Sequence, residues 1–308
     1  MSSVRTLLAL SRPSRLPTYW SDCLAGWWLG GGGNAENLPF LFAGVTLLYL
    51  GGAFLNDAFD ADFDRHHHPE RPIPSGAVTQ QAVWRWGLSG LAAGALFLLW
   101  LGNATGGLGL AMVALIVIGN AIHHLLPSGP VLQGICRMFL YVLAASVASH
   151  GVSGWSVWSG LAAGTYVAAI AWFARWEEIP SRARHWPMIP LAAPVILALV
   201  MNAGEYRKPA MLIGLVVVLW ALRALRQTYL SLDRNMTRTV STLTAGIVLV
   251  DWLAICPMAA ASSMSNSAPR ELSLAFVGLF LGVLALQRIE APPESNRAAA
   301  RPRPDARL

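Results

Sequence analysis

The sequence predicts an all-α protein, a polytopic bundle of transmembrane helices, and three observations carry that expectation. Hydrophobic residues make up 55% of the 308 and charged residues only 12%, whereas the surface of a water-soluble domain needs about a quarter of all residues charged. Apolar runs follow one another from Leu16 to Ile289 with no polar stretch large enough for a soluble domain. In lipid the backbone must satisfy its own hydrogen bonds, which selects helices.

Taken in order, ten apolar segments fall at 16–33, 38–57, 79–101, 104–122, 130–150, 155–175, 187–204, 208–228, 238–261 and 271–289. Each approaches the roughly 20 residues that span about 30 Å of hydrocarbon. The seventh is interrupted by Pro190 and Pro194. Residues 1–17 carry Arg5, Arg12 and Arg15 but no small-residue cleavage site before a short apolar core, so they read as a cytoplasmic lead-in rather than a signal peptide. With the N-terminus inside and the segments alternating, all of the 22 Lys and Arg except Arg207, Lys208 and Arg270 fall on the inner side, as the positive-inside rule requires. A nine-span chain would put the arginines of the C-terminal tail outside, so the charges favour the tenth span and a cytoplasmic C-terminus. The pI near 9.7 therefore reflects membrane orientation and not nucleic-acid binding. Residues 1–290 read as one transmembrane domain. Residues 291–308, rich in Pro, Ala and Arg, read as a disordered cytoplasmic tail without the apolar bulk to order it. Cys23, Cys136 and Cys256 lie far apart inside apolar runs and form no metal-ligand spacing, so buried thiols are expected.

The polar cluster sits between the second and third segments, in GGAFLNDAFDADFDRHHHPERPIPSGAV. On a helix turning about 100° per residue, Asn56, Asp57, Asp60 and Asp64 share an arc of roughly 100°, while Asp62 points to the opposite side. Crowded carboxylates repel. Full solvation at a helix end relieves the repulsion, and so does a hard cation. Mg²⁺ takes oxygen ligands from one or two carboxylates and fills its shell with water and substrate phosphates, so an acidic face beside Arg65 and Arg71 suits a metal-bridged diphosphate. Spacing alone leaves the solvated loop and the metal site equally open.

The run Asn56-Asp57-x-x-Asp60-x-x-x-Asp64, followed by Arg71-Pro-Ile-Pro-Ser-Gly76, resembles the first aspartate-rich motif of the UbiA superfamily of intramembrane prenyltransferases. The Arg12-Pro13 and Leu16-Pro17-Thr18 opening fits the same family, so the resemblance covers about residues 10 to 260. Gly134-Ile135-Cys136-Arg137 and the lack of a second aspartate motif look most like the EboC-like branch, named for a bacterial gene cluster linked to metabolite export. The resemblance implies a bundle of nine core spans plus a tenth, in a bacterial inner membrane. It implies a central cavity open to lipid, an isoprenyl diphosphate donor bound through Mg²⁺, and a small aromatic or apolar acceptor. Residue by residue, Asp57, Asp60 and Asp64 become the catalytic and metal-binding carboxylates. Asn56, Arg65, Arg71, Arg137 and Glu178 become substrate contacts. Phe59, Tyr141 and Trp172 are candidates to face an allylic cation, or plain packing.

The match breaks after the sixth segment, where the second motif is expected. The chain there reads Phe173-Ala174-Arg175-Trp176-Glu177-Glu178 and has no aspartate. Adjacent glutamates on a helix diverge by about 100°, so one at most serves a metal, and Glu178 is the candidate. Arg137, Asp22 and Asp251 sit within apolar spans, where unpaired charge is costly. Arg137 is expected to meet either diphosphate or Asp22, and the two aspartates either an acceptor cavity or a neighbouring helix. His66 to His68 complete no tetrahedral metal site, and His123 and His124 fall where the family resemblance places a basic pair, so either a phosphate contact or a plain interface position is expected. Two further readings remain beside prenyl transfer. One keeps the site with a phosphoribosyl-type diphosphate donor. The other is a transporter or non-catalytic scaffold in metabolite export, which intramembrane charges and the missing motif would suit.

Overall fold

The computed structural model describes residues 3–122, 129–175, 185–202, 207–229, 235–261 and 268–290. Among these the secondary structure is helical. A short α1 (Ser3–Ser11) and a 3-10 turn at Pro13–Arg15 lead into α2 (Leu16–Leu29) and α3 (Asn37–Phe59). Then come α4 (Ala61–His67), α5 (Gln80–Trp100), α6 (Asn103–Ile122), α7 (Gly129–Ala145) and α8 (Gly154–Ala174). The chain continues through α9 (Met188–Met201), α10 (Arg207–Tyr229), α11 (Met236–Ala261) and α12 (Ala268–Glu290). Ten of these twelve helices occupy the ten apolar segments.

Seven of the described helices, α3, α5, α6, α8, α10, α11 and α12, are long and apolar enough to cross a membrane. The other three correct the expected lengths. α2 and α9 have 14 residues each and α7 has 17, about 21 to 26 Å at 1.5 Å per residue. α2 ends at Leu29 and not at residue 33, because Gly31, Gly32 and Gly33 all adopt positive φ, a conformation that leaves the helical well. α7 ends at Ala145 in a chain of tight turns that closes on Gly151, φ +71°. α9 starts past Pro187 and contains Pro194.

Packing rests on small residues, since lipid offers no hydrophobic drive between helices. α7 lies against α8 so closely that a Cβ on Gly134 or on Gly164 would come within 2.5 Å of the other's carbonyl oxygen. α3 and α5 meet at Gly51 and Gly87 in the same way. Around these contacts Leu48, Leu55, Leu91, Leu98, Tyr141, Tyr166, Phe173 and Leu253 form the buried core. Ile189, Val200, Leu212, Leu274 and Ile289 stand exposed, as side chains facing acyl chains must. α12 packs along α2 and α11, and its terminal Glu290 accepts hydrogen bonds from Ser14 N (2.7 Å) and Ser14 Oγ (2.5 Å). That tie fixes the 3-10 turn and with it the entry to α2, beside the acidic end of α3.

Candidate active site

The acidic face survives the end of α3. The break between α3 and α4 falls at Asp60, whose φ −78° and ψ −6° stay in the helical region. Asp60 N donates to Asn56 O at 3.0 Å and Asp64 N to Asp60 O at 2.8 Å. The i to i−4 ladder thus runs through the junction, and the arc from Asn56 to Asp64 is preserved. Asp57, Asp60 and Asp64 are buried, while Asp62 on the far side has a side chain 80% exposed.

Two arginines from outside the helix close on this face. Arg71, in the turn after α4, places Nη1 at 2.8 Å and 2.7 Å from the two oxygens of Asp64. Arg12, from the joint between α1 and the 3-10 turn, pairs with Asp57 and donates to Asn56 Oδ1 at 3.3 Å. Asn56 Nδ2 in turn donates to Asp60 Oδ2 at 3.2 Å. Arg12 holds a left-handed backbone, φ +43° and ψ +59°, the only non-glycine residue with positive φ among those described. Its carbonyl accepts from Tyr49 Oη at 2.7 Å. A conformation of that kind costs about 1–3 kcal/mol and persists where surrounding contacts impose it. Asp57, Asp64 and Arg71 border one cleft with Leu10, Pro72, Ile73 and Pro74.

A divalent metal fits this donor set by its chemistry. The converging groups are all oxygen donors, and two carboxylates share the cleft with a guanidinium. Among the described residues no three Asp, Glu, His or Cys side chains form a ready cage. Mg²⁺ asks for no such cage, because water and substrate phosphate complete its shell. A second cavity lies at the N-terminal end of α8, between α8, α9 and α11, lined by Trp155, Trp158, Pro194, Asn202 and Leu253. It is mostly apolar and has no charged side chain in its lining.

Two of the other candidate contacts, Arg65 and Arg137, make their bonds away from this face. Arg65 turns away from the acidic face and pairs with Asp62, with a second bond to Gln80 Oε1 at 3.2 Å, because the i, i+3 spacing puts it beside Asp62. Arg137 is not in the cluster. Its guanidinium pairs with Asp22 and bonds Thr18 O (3.2 Å) and Thr18 Oγ1 (2.9 Å), which resolves its two alternatives toward Asp22. It also lies 3.7 Å from the centroid of Tyr19. The Tyr19 ring packs tilted against Tyr49 with centroids 4.5 Å apart, so Arg137 backs an aromatic wall whose far side, through Tyr49 Oη, holds Arg12. Asp251 likewise meets a neighbouring helix, bonding with Ser21 Oγ and accepting from Tyr141 Oη (2.5 Å). Tyr141 is thereby committed, and Phe59 and Trp172 pack edge-on against Trp84 and Trp186. Glu177, Glu178, His123 and His124 lie outside the described residues. Sequence reasoning did not single out Arg12 as a site residue. The Arg12-Pro13 pair was its visible signal.

With this geometry established, comparison with known proteins places the chain. It belongs to the UbiA prenyltransferase family, matched over residues 16–298. Among curated relatives, a digeranylgeranylglyceryl phosphate synthase of Methanoregula boonei is 34% identical over 86 residues, 28% of this chain and 31% of the relative. A 4-hydroxybenzoate octaprenyltransferase of Pectobacterium carotovorum is 37% identical over 81 residues, 25% of this chain and 28% of the relative. The chain spans about a third to a half of the first curated relatives it matches. A UbiA homologue from Aeropyrum pernix K1, solved in its apo form, shares the fold with a TM-score of 0.65 at 17% identity. That match covers 79% of this chain and 98% of the other.

Proposed function

We propose that this chain is an Mg²⁺-dependent intramembrane transferase. It moves a prenyl group from an isoprenyl diphosphate to a small aromatic or apolar acceptor. The observation that carries the reading is the continuous acidic face of Asp57, Asp60 and Asp64, met by Arg12 and Arg71 at the end of α3. The names of its curated relatives, a digeranylgeranylglyceryl phosphate synthase and a 4-hydroxybenzoate octaprenyltransferase, support the same class of reaction. In this reading the site lies on the cytoplasmic side of a bacterial inner membrane, and the side on which Lys and Arg collect supports that orientation.

In this reading Asp57, Asp60 and Asp64 would hold Mg²⁺, and Asn56 orients Asp60 by its amide. Bound Mg²⁺ supplies neutralisation of the charge that builds on the diphosphate. Arg12 and Arg71, which pair with Asp57 and Asp64, donate to phosphate oxygens as the allylic C–O bond breaks and its electron pair leaves with the diphosphate. The allylic cation is then captured by the acceptor nucleophile, which sheds a proton. The bundle interior keeps water from reaching the cation first. Glu178 is retained as a candidate headgroup contact and the EboC-like branch as the candidate subfamily, both on sequence grounds.

The transport reading loses its main support. Asp22, Arg137 and Asp251 are sealed and committed to one another and to hydroxyls, whereas residues on a translocation path need an aqueous or substrate-facing side. The test is pyrophosphate release from geranyl, farnesyl and geranylgeranyl diphosphates by the purified chain in lipid nanodiscs, with and without Mg²⁺. Metal-dependent release from at least one donor is expected. Release from none of them, with phosphoribosyl diphosphate turned over instead, would transfer the site to the other donor class.

A further inference from the structure

The second polar cluster lies midway along the helices, away from the aspartate face, and its hydrogen count is short. Asp22 on α2 and Asp251 on α11 are both 0% exposed, and Arg137 on α7 is 6% exposed. Arg137 pairs with Asp22 through Oδ2 alone. Asp251 accepts from Tyr141 on one oxygen, and its other oxygen meets Ser21 Oγ, whose single hydrogen is also claimed by Thr18 O at 3.0 Å. Asp22 Oδ1 is fully buried with no hydrogen-bond partner. Thr18 Oγ1 spends its own hydrogen on Arg15 O (2.7 Å) and has none to give. The cluster therefore contains two carboxyls, one guanidinium and an acceptor without a donor.

Two physical requirements converge on one remedy. Two carboxylates against one guanidinium leave a net negative charge in the middle of a bilayer, where an uncompensated charge is not held. An orphaned buried acceptor carries a desolvation penalty of its own. One proton bears on both. Placed on Asp251, it leaves a single carboxylate facing a single guanidinium, and it gives the cluster a donor that it otherwise lacks. Tyr141 keeps its bond to Asp251, since a protonated carboxyl still accepts, and Ser21 Oγ accepts from Asp251 while donating to Thr18 O.

We propose that Asp22 and Asp251 form a one-proton site at the centre of the bundle, with Asp251 as the neutral acid and Asp22 as the carboxylate. The ligand of this site is a proton, and its bound form ties α2, α7 and α11 together. Arg137, held by this pair, supports the ring of Tyr19, so the proton site braces the aromatic wall behind Arg12. The inference stands independently of the donor and acceptor of the transfer reaction.

The two aspartates then respond differently to the same substitution. Asp251→Asn replaces a neutral O–H donor with a neutral N–H donor and is expected to fold with an unchanged thermal midpoint. Asp22→Asn strands the Arg137 charge and is expected to lose the folded chain in detergent. Infrared difference spectra of the purified protein in nanodiscs at neutral pH give the direct readout. The wild type is expected to show a protonated-carboxyl C=O band that moves on ¹³C-aspartate labelling, persists in Asp60→Asn and vanishes in Asp251→Asn. Absence of that band from the wild type, which requires no variant to fold, would overturn the proposal. So would its survival in Asp251→Asn, or an Asp251→Asn chain that fails to fold while Asp22→Asn folds normally.

Discussion

Two clusters of aspartate and arginine lie along the same bundle, and they differ in how their charges can be exchanged. At the end of α3, Arg12 and Arg71 pair with Asp57 and Asp64 while keeping side chains 29% and 37% exposed, so water and a charged ligand reach the pairs. Midway along α2, Arg137 and Asp22 form a pair 7% and 0% exposed. The first set can trade one partner for another, as a site that binds a metal and releases a diphosphate must. The second cannot, because any opening leaves an ion in a medium that does not solvate it. The same residue types therefore serve binding in one place and cohesion in the other, and exposure decides which.

The largest effect that separates the two is expected at Asp22. Asp22→Ala should cost about 3–5 kcal/mol of stability, the range for stranding one member of a buried pair, read by thermal unfolding in detergent. Asp57→Asn should leave the thermal midpoint within a few degrees yet lower Mg²⁺-dependent pyrophosphate release by about 10²- to 10³-fold, the scale of losing one electrostatic contact to a developing charge. Equal behaviour of the two variants would erase the distinction. Arg71→Lys keeps the charge, and one nitrogen suffices to meet both oxygens of Asp64, but it loses the planar guanidinium that could bind phosphate bidentately, and donor affinity should fall by about tenfold, near 1.4 kcal/mol. Arg65→Ala should change neither stability nor release by more than about 1 kcal/mol, as suits an exposed pair. A large loss of release in Arg65→Ala would return that residue to the site.

The sequence made the ten helices and the acidic face legible for one physical reason, periodicity. Apolar length marks a span, and the spacing of Asn56, Asp57, Asp60 and Asp64 marks a helical face whether or not the helix pauses at Asp60. What escaped depends on long-range placement. Arg12 reaches Asp57 across 45 residues, from a backbone conformation that no local pattern announces. The choice of Asp22 over diphosphate by Arg137 is settled by how α2 and α7 pack, 115 residues apart. The partner of Arg65 is chosen for the opposite reason. Its nearest carboxylate, Asp62, stands three residues away on the exposed side and outcompetes the more distant face. The short lengths of α2 and α7 follow from turn and glycine geometry, which apolar composition conceals.

The central claim is that the acidic face at the end of α3 binds diphosphate through a metal. Calorimetric binding of inorganic pyrophosphate to the chain in nanodiscs, with and without Mg²⁺, for wild type and Asp60→Asn, tests it most directly. The account predicts binding to the wild type only when Mg²⁺ is present, and none to Asp60→Asn at the same metal concentration. Binding that ignores the metal, or that survives the substitution unchanged, would contradict it.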